Sequence, residues 1–298
     1  MPHLTRRGFS LVELLIAMVL LAIVVAGLYR ALMTNQRVYQ QQTQVIGLQQ
    51  NMRAAAAILP QELRELDATG GDIYAMTATS LTIRANRWTA LMCLPPATGL
   101  LGLIGPQQIN GATMIIRGQL FFGRGINLAT DSMFIRYEGD DGTRKDDGYV
   151  LAKPTLTAAA VCPLTSGGGA GTLVTMNLDF RGNINFPTSI VSGDPVHGFE
   201  PVTYSLYQPT TGGDWYVGLT TSSGQQPLIG PVLANGLSFA YYDSTGVVTA
   251  LPTRVARVDI TLRAQTAQLI RAQSGSNSLV RMVDSVLTSV ALRNNRRY

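Results

Sequence analysis

The sequence predicts an α+β protein in which one long N-terminal helix packs on an antiparallel β-sheet domain. Two patterns carry that expectation. Residues 9–67 keep helical character throughout, first as an apolar run and then as an amphipathic stripe. From about residue 80 onward, short segments alternate apolar and polar residues with period two, as half-buried strands do.

The helix starts in an unusual way. Residues 1–8 (MPHLTRRG) are short, polar and basic. A nearly unbroken apolar run follows from Phe9 to Tyr29, interrupted only by Ser10, Glu13 and Gly27. About 20 such residues cross the hydrocarbon core of a bilayer. Arg6 and Arg7 hold the short flank in the cytoplasm by the positive-inside rule, which leaves the rest of the chain outside the inner membrane. A secretory signal peptide fits poorly, because its small-residue cleavage site follows the apolar run. Here Arg30-Ala31-Leu32-Met33-Thr34-Asn35-Gln36 continues to read as helix. Glu13 stands out, since an ionisable group inside an apolar span costs roughly 2.5–3.5 kcal/mol on insertion scales and marks function.

Beyond the span, Val45, Leu48, Met52, Ala55, Leu59, Leu63 and Leu66 recur at spacings of three and four, with glutamine and arginine between them. This face needs a globular partner. Pro60 removes one backbone donor and is expected to kink or restart the helix, and Gly70-Gly71 to end it.

The remainder reads as β. Leu81–Arg84, Met133–Tyr137, Tyr149–Leu151, Val174–Phe180, Val202–Leu206, Leu237–Tyr241, Val258–Leu262 and Val286–Leu292 are the expected strands. Glycine-rich Ser166–Gly171 and the segment Pro187–Pro201 are the expected lobe boundaries, with Asp194-Pro195-Val196-His197-Gly198 read as a turn. The expected organisation is a leader at 1–8, a helix at 9–67 with its membrane segment at 9–29, a β-rich lobe at 68–195 and a second β-rich lobe at 196–298.

Composition narrows the chemistry. The 298 residues are 46% hydrophobic and only 14% charged, enough apolar material for a sizeable core. Cys93 and Cys162 are the only cysteines. The topology places them in an oxidising compartment, where they form either a disulfide or a pair of small buried hydrophobes. The run Asp140-Asp141-Gly142-Thr143-Arg144-Lys145-Asp146-Asp147 offers the carboxylates of Asp140, Asp141, Asp146 and Asp147 as a calcium cradle. Its spacing is not that of an EF-hand, and a solvated hairpin turn is the leading reading. With His197 the one histidine outside the leader, neither a catalytic triad nor a histidine-rich metal site finds its parts, so no enzyme and no cofactor are expected. Gly167-Gly168-Gly169-Ala170-Gly171 lacks the Lys-Ser/Thr of a phosphate loop. The arginines from Arg254 to Arg297 give the tail a basic bias, but no aromatic residues interleave with them as a nucleic-acid platform requires.

The segment Arg6-Arg7-Gly8-Phe9-Ser10-Leu11-Val12-Glu13-Leu14-Leu15-Ile16 resembles the class III signal of type IV prepilins and type II secretion pseudopilins. The resemblance implies cleavage by prepilin peptidase between Gly8 and Phe9 and methylation of the new N-terminus at Phe9. It implies that Glu13, one helical turn further on, serves assembly; the new amine at Phe9 is within its reach. Val202–Leu206, Leu237–Asp243, Val258–Leu262 and Ser289–Asn294 are similar to the large PilW-type minor pilins and to J-type pseudopilins. The implied partners are other pilin subunits, prepilin peptidase and the inner-membrane assembly platform. The implied location is a single-pass inner-membrane state with a periplasmic domain, followed by a periplasmic or extracellular filament. Size favours a minor subunit at the tip or in a priming complex. The alternative is a pilin-anchored adhesin or a DNA-uptake pilin whose β-lobe binds an external target.

Overall fold

The computed structural model describes residues 10–95, 108–137, 142, 148–163, 169–179, 190–271 and 278–293. The helix α1 spans Leu11–Arg64, on the order of 80 Å at 1.5 Å per residue. Ser10 caps its N-terminus, and Glu65 closes its C-terminus. The helix continues through Pro60, because that proline stands four residues from the end and costs only one backbone bond there. The end at Arg64 comes before Gly70-Gly71. A loop takes over in which Asp67 accepts from the Gly70 N–H and the Asp67 N–H donates to Asp72.

Fourteen strands follow among the described residues: β1 (Ile73–Met76), β2 (Ser80–Leu94), β3 (Gln108–Arg117), β4 (Phe122–Gly123), β5 (Ser132–Tyr137), β6 (Gly148–Cys162), β7 (Gly169–Asp179), β8 (Pro195–Tyr207), β9 (Trp215–Thr221), β10 (Gly224–Tyr242), β11 (Arg257–Gln265), β12 (Ile270–Arg271), β13 (Leu279–Val280) and β14 (Val283–Ala291). The main sheet runs β1-β2-β3-β7-β6-β5-β8-β9-β10-β11-β14, with β4 attached to β2 and a further pairing of β2 with β8. That last pairing closes a ring. β2, β3, β7, β6, β5 and β8 each pair with the next and the last returns to the first, all antiparallel, which makes a six-stranded barrel. The expected α+β architecture is the one observed.

Two cores result. In the first, Leu48, Met52, Ala55, Leu59 and Leu63 of α1 pack against Leu81 and Ile83, Val202 and Tyr204, Phe239, and Val258, Ile260 and Leu262. This is the body of the molecule, and each fully buried leucine there contributes about 2 kcal/mol of burial. The second core fills the barrel with Trp88, Met92, Met114, Met133, Ile135, Val174 and Met176. Strands β2 and β8 belong to both. They pair from Ser80↔Ser205 to Leu91↔Pro195, with a register shift between Asn86 and Trp88 where the body gives way to the barrel. Such a bulge bends a strand and re-aims its side chains.

The segment Asp194–Gly198 is not a turn, since β8 begins at Pro195. Gly198 pairs with Trp88, and a Cβ at Gly198 would overlap the indole ring. That glycine makes room for a side chain and does not reverse the chain. Gly169–Gly171 likewise lie inside β7.

Candidate assembly site and the junction above it

The N-terminal half of α1 has no packing partner among the described residues. From Ser10 to Leu32 every residue is exposed, and Leu21, for example, keeps 62% of its surface. Burial begins with Leu48. An exposed apolar stripe of this length is stable only in lipid or against similar helices. Glu13 is the third residue of the helix and folds back on its start. Its N–H donates to Ser10 Oγ at 3.2 Å, and the Ser10 N–H donates to Glu13 Oε2 at 3.3 Å. This reciprocal pair satisfies two of the free donors at the helix end and puts the carboxylate beside the backbone of Ser10, next in sequence to Phe9. Gly8 and Phe9 lie outside the described residues. The sequence reading singled out Glu13 but not its cap, although a serine three positions before a glutamate at the head of an apolar run is the written signature of one.

The prokaryotic N-terminal methylation motif matches residues 4–29. The chain opens with a prepilin-type signal. No curated protein and no solved structure matches the chain. A prepilin-type signal in general brings processing by prepilin peptidase and assembly with other pilin subunits, and the proteins that carry it are structural. The apolar first half of α1 fits a membrane-anchored pilin of this kind.

The barrel meets the helix through a chain of charged groups. Arg87 lies between Glu62 of α1, at 3.2 Å, and Glu200 of β8, at 3.5 Å. Arg124 then links Glu200, at 3.3 Å, to Asp131, at 2.6 Å. Asp131 is fully buried and also accepts from Trp88 Nε1, the Asn127 N–H and Thr130 Oγ1. Burial pushes its carboxyl up, but these hydrogen bonds together hold it below the ordinary carboxylate range. At the helix end, Tyr204 donates to Glu62 Oε2 at 2.7 Å, and burial with the adjacent negative charge raises its pKa.

Beside this network, a cleft of about 330 Å³ opens between the loop after α1 and the outer face of the barrel. Phe134, Tyr149, Phe199 and His197 form one wall, and Glu65, Asp67, Asp72 and Arg84 form the other. The Arg84 guanidinium lies over the rings of Phe134 and Phe199, at 4.7 and 5.3 Å, and contacts Asp72 at 3.5 Å. Burial raises the Asp72 carboxyl. His197 shares a hydrogen bond with Thr89 at 3.1 Å; burial lowers its pKa against the opposing charge of Glu65. No sequence motif pointed to this cleft, because its residues come from five separate segments.

Cys93 and Cys162 form a disulfide with Cα atoms 5.7 Å apart. It joins β2 to the end of β6, strands that do not pair with each other. The calcium candidates Asp140, Asp141, Asp146 and Asp147 lie outside the described residues, and among the described residues no group of metal-ligating side chains assembles. Part of the basic tail is engaged internally: Arg257 pairs with Asp259 at 3.2 Å and lies over Tyr242, and Arg281 pairs with Asp214 at 2.6 Å.

Proposed function

We propose that the chain is a minor pilin or pseudopilin subunit, cut after Gly8, N-methylated at Phe9, and assembled at the tip or in the priming complex of a type IV pilus or type II secretion pseudopilus. The observation that carries the reading is the exposed half of α1, an apolar rod that begins with a capped glutamate inside a prepilin-type signal. Leaving the bilayer exposes roughly 30 Å of greasy helix, and only equivalent helices replace the lipid. Glu13 then offers its carboxylate to the new amine of its own or a neighbouring chain, which offsets the cost of holding a charge in that core. A barrel on top of the body supports a subunit present in few copies, since a repeated one has to fit that bulk at every step of a helical array.

The test is the N-terminal sequence of chain recovered from sheared filaments. N-methylphenylalanine at residue 9 is expected. A mature protein that starts at Met1, or at any residue other than Phe9, overturns the proposal.

The cleft at the barrel junction favours a second reading, in which the barrel presents a binding surface for an external target and the filament carries it outward. Retention of surface material by wild-type filaments, lost on deleting the barrel while assembly persists, is the result that supports it.

A further inference from the structure

β14 ends the main sheet, and no strand among the described residues pairs with its outer edge. The ladder fixes which backbone groups lie there. The Leu292 N–H bonds Ala256 C=O, and the Thr266 N–H bonds Met282 C=O. Between those two bonds the antiparallel register runs without a shift from Arg257↔Ala291 to Gln265↔Val283. Even-numbered residues of β14 therefore turn their N–H and C=O groups toward β11, and Val283, Ser285, Leu287, Ser289 and Ala291 turn theirs outward. Asp284 Oδ1 takes the Ser285 N–H at 2.8 Å. The N–H groups of Val283, Leu287, Ser289 and Ala291 have no partner among the described residues. All five of these side chains are exposed.

Natural proteins blunt such edges with proline, lysine, a bulge or a very short strand. The opposite end of this sheet does so: β1 has four residues and a register shift between Ile73 and Ala75. β14 has none of these protections. Its nine residues include no proline, no basic group and one charge, Asp284, and Val283, Val286, Thr288 and Val290 give it strong strand character.

We propose that the outer edge of β14 takes up an extended strand from a different pilin-type subunit, not a second copy of this chain, that neighbours it in the same filament. The inference rests on the filament-subunit reading and adds the surface by which that neighbour is gripped. The occupant follows from position. Val286 and Thr288 face Ala55, Ala56 and Leu59 of α1, the Gln268 N–H before β14 donates to Gln44, and the Arg293 N–H after it bonds Arg64 C=O. The edge therefore runs beside α1 for roughly 30 Å at about 3.4 Å per residue. The exposed lower half of the same helix has to be wrapped by neighbouring helices, and each neighbour brings its own body alongside β14. Main-chain bonds then supply affinity, and the exposed Leu287 supplies an apolar anchor.

Hydrogen exchange followed by mass spectrometry tests this on the full chain, once purified in detergent micelles and once within sheared filaments. In micelles, the Leu287 and Ser289 amides are expected to exchange freely while those of Thr288 and Val290 are protected. In filaments, Leu287 and Ser289 are expected to slow at least tenfold. Equal exchange in both states overturns the proposal, and so does protection in micelles that rises with concentration, which identifies a second copy as the occupant. Absence of the chain from the filament pellet overturns the subunit reading as well, and it shows as missing protein and not as fast exchange. Leu287→Pro removes an outward N–H and the apolar anchor together. It is expected to leave the micelle-bound fold intact by circular dichroism and to lower incorporation at least fivefold. Wild-type incorporation of that variant overturns the proposal.

Discussion

The two halves of α1 share one unbroken backbone and follow opposite rules of burial. From Ser10 to Leu32 no residue is covered, whereas from Leu48 upward every turn hides one or two side chains under the sheet. Composition makes the difference. The lower half is apolar on all sides and finds no dry surface among the described residues, while the upper half confines its apolar residues to one stripe that the sheet can cover. The lower half therefore stores its packing energy for other molecules. The upper half uses its own to fix the body.

That contrast is open to direct attack. The largest effect is expected from Gly8→Ala, which leaves a full-length precursor in the membrane with no mature product on an immunoblot; normal processing breaks the account of the lower half. Next comes Glu13→Ala, which is cut normally but lowers the chain recovered in sheared filaments about tenfold or more, without a change in melting temperature. The pair Cys93→Ser and Cys162→Ser extends the comparison to the barrel. On the chain-entropy argument, opening a loop of 69 residues' separation costs roughly 4 kcal/mol, measured by denaturant unfolding of the oxidised and the double-variant proteins. Leu59→Ala, at a site 1% exposed, is expected to lose about 3 kcal/mol in the same assay, while Leu21→Ala in micelles loses almost nothing. Equal losses from the two would erase the distinction between the halves.

The smallest effect concerns pH. Burial depresses His197, so the folded protein holds it neutral while the unfolded chain takes up a proton near pH 6.5. Its contribution to stability is complete above about pH 6.5 and is lost as the pH falls through the folded value. His197→Gln is expected to flatten that part of the stability profile. Asp131, also depressed, adds a loss of the same sign at lower pH, which remains in the variant.

The helix was legible because its code is local. A stripe at spacings of three and four names its own buried face, and Leu48, Met52, Ala55, Leu59 and Leu63 all lie on it. Alternation named strands as readily, but alternation carries no information about partners. The barrel depends on β2 meeting β8 more than a hundred residues later, and nothing near Ser80 or Ser205 announces that. Gly198 shows how a correct local rule misleads. Glycine beside proline and histidine signals a turn, yet here the missing side chain is the space into which Trp88 packs. The lower end of the candidate site was written in the sequence, where Glu13 breaks an apolar run. The junction was not, because Glu62, Arg87, Arg124, Asp131 and Glu200 look like ordinary surface charges until the fold brings them together.

Asn86 and Phe199 are cross-strand neighbours, and β3, β5, β6 and β7, which lie between them in the chain, belong to the barrel together with the far ends of β2 and β8. A stretch of more than a hundred residues thus leaves and re-enters the body through two points about 5 Å apart. A gap that small is one a two-residue hairpin spans. The body is therefore a socket, and the barrel is plugged into it through two paired strands.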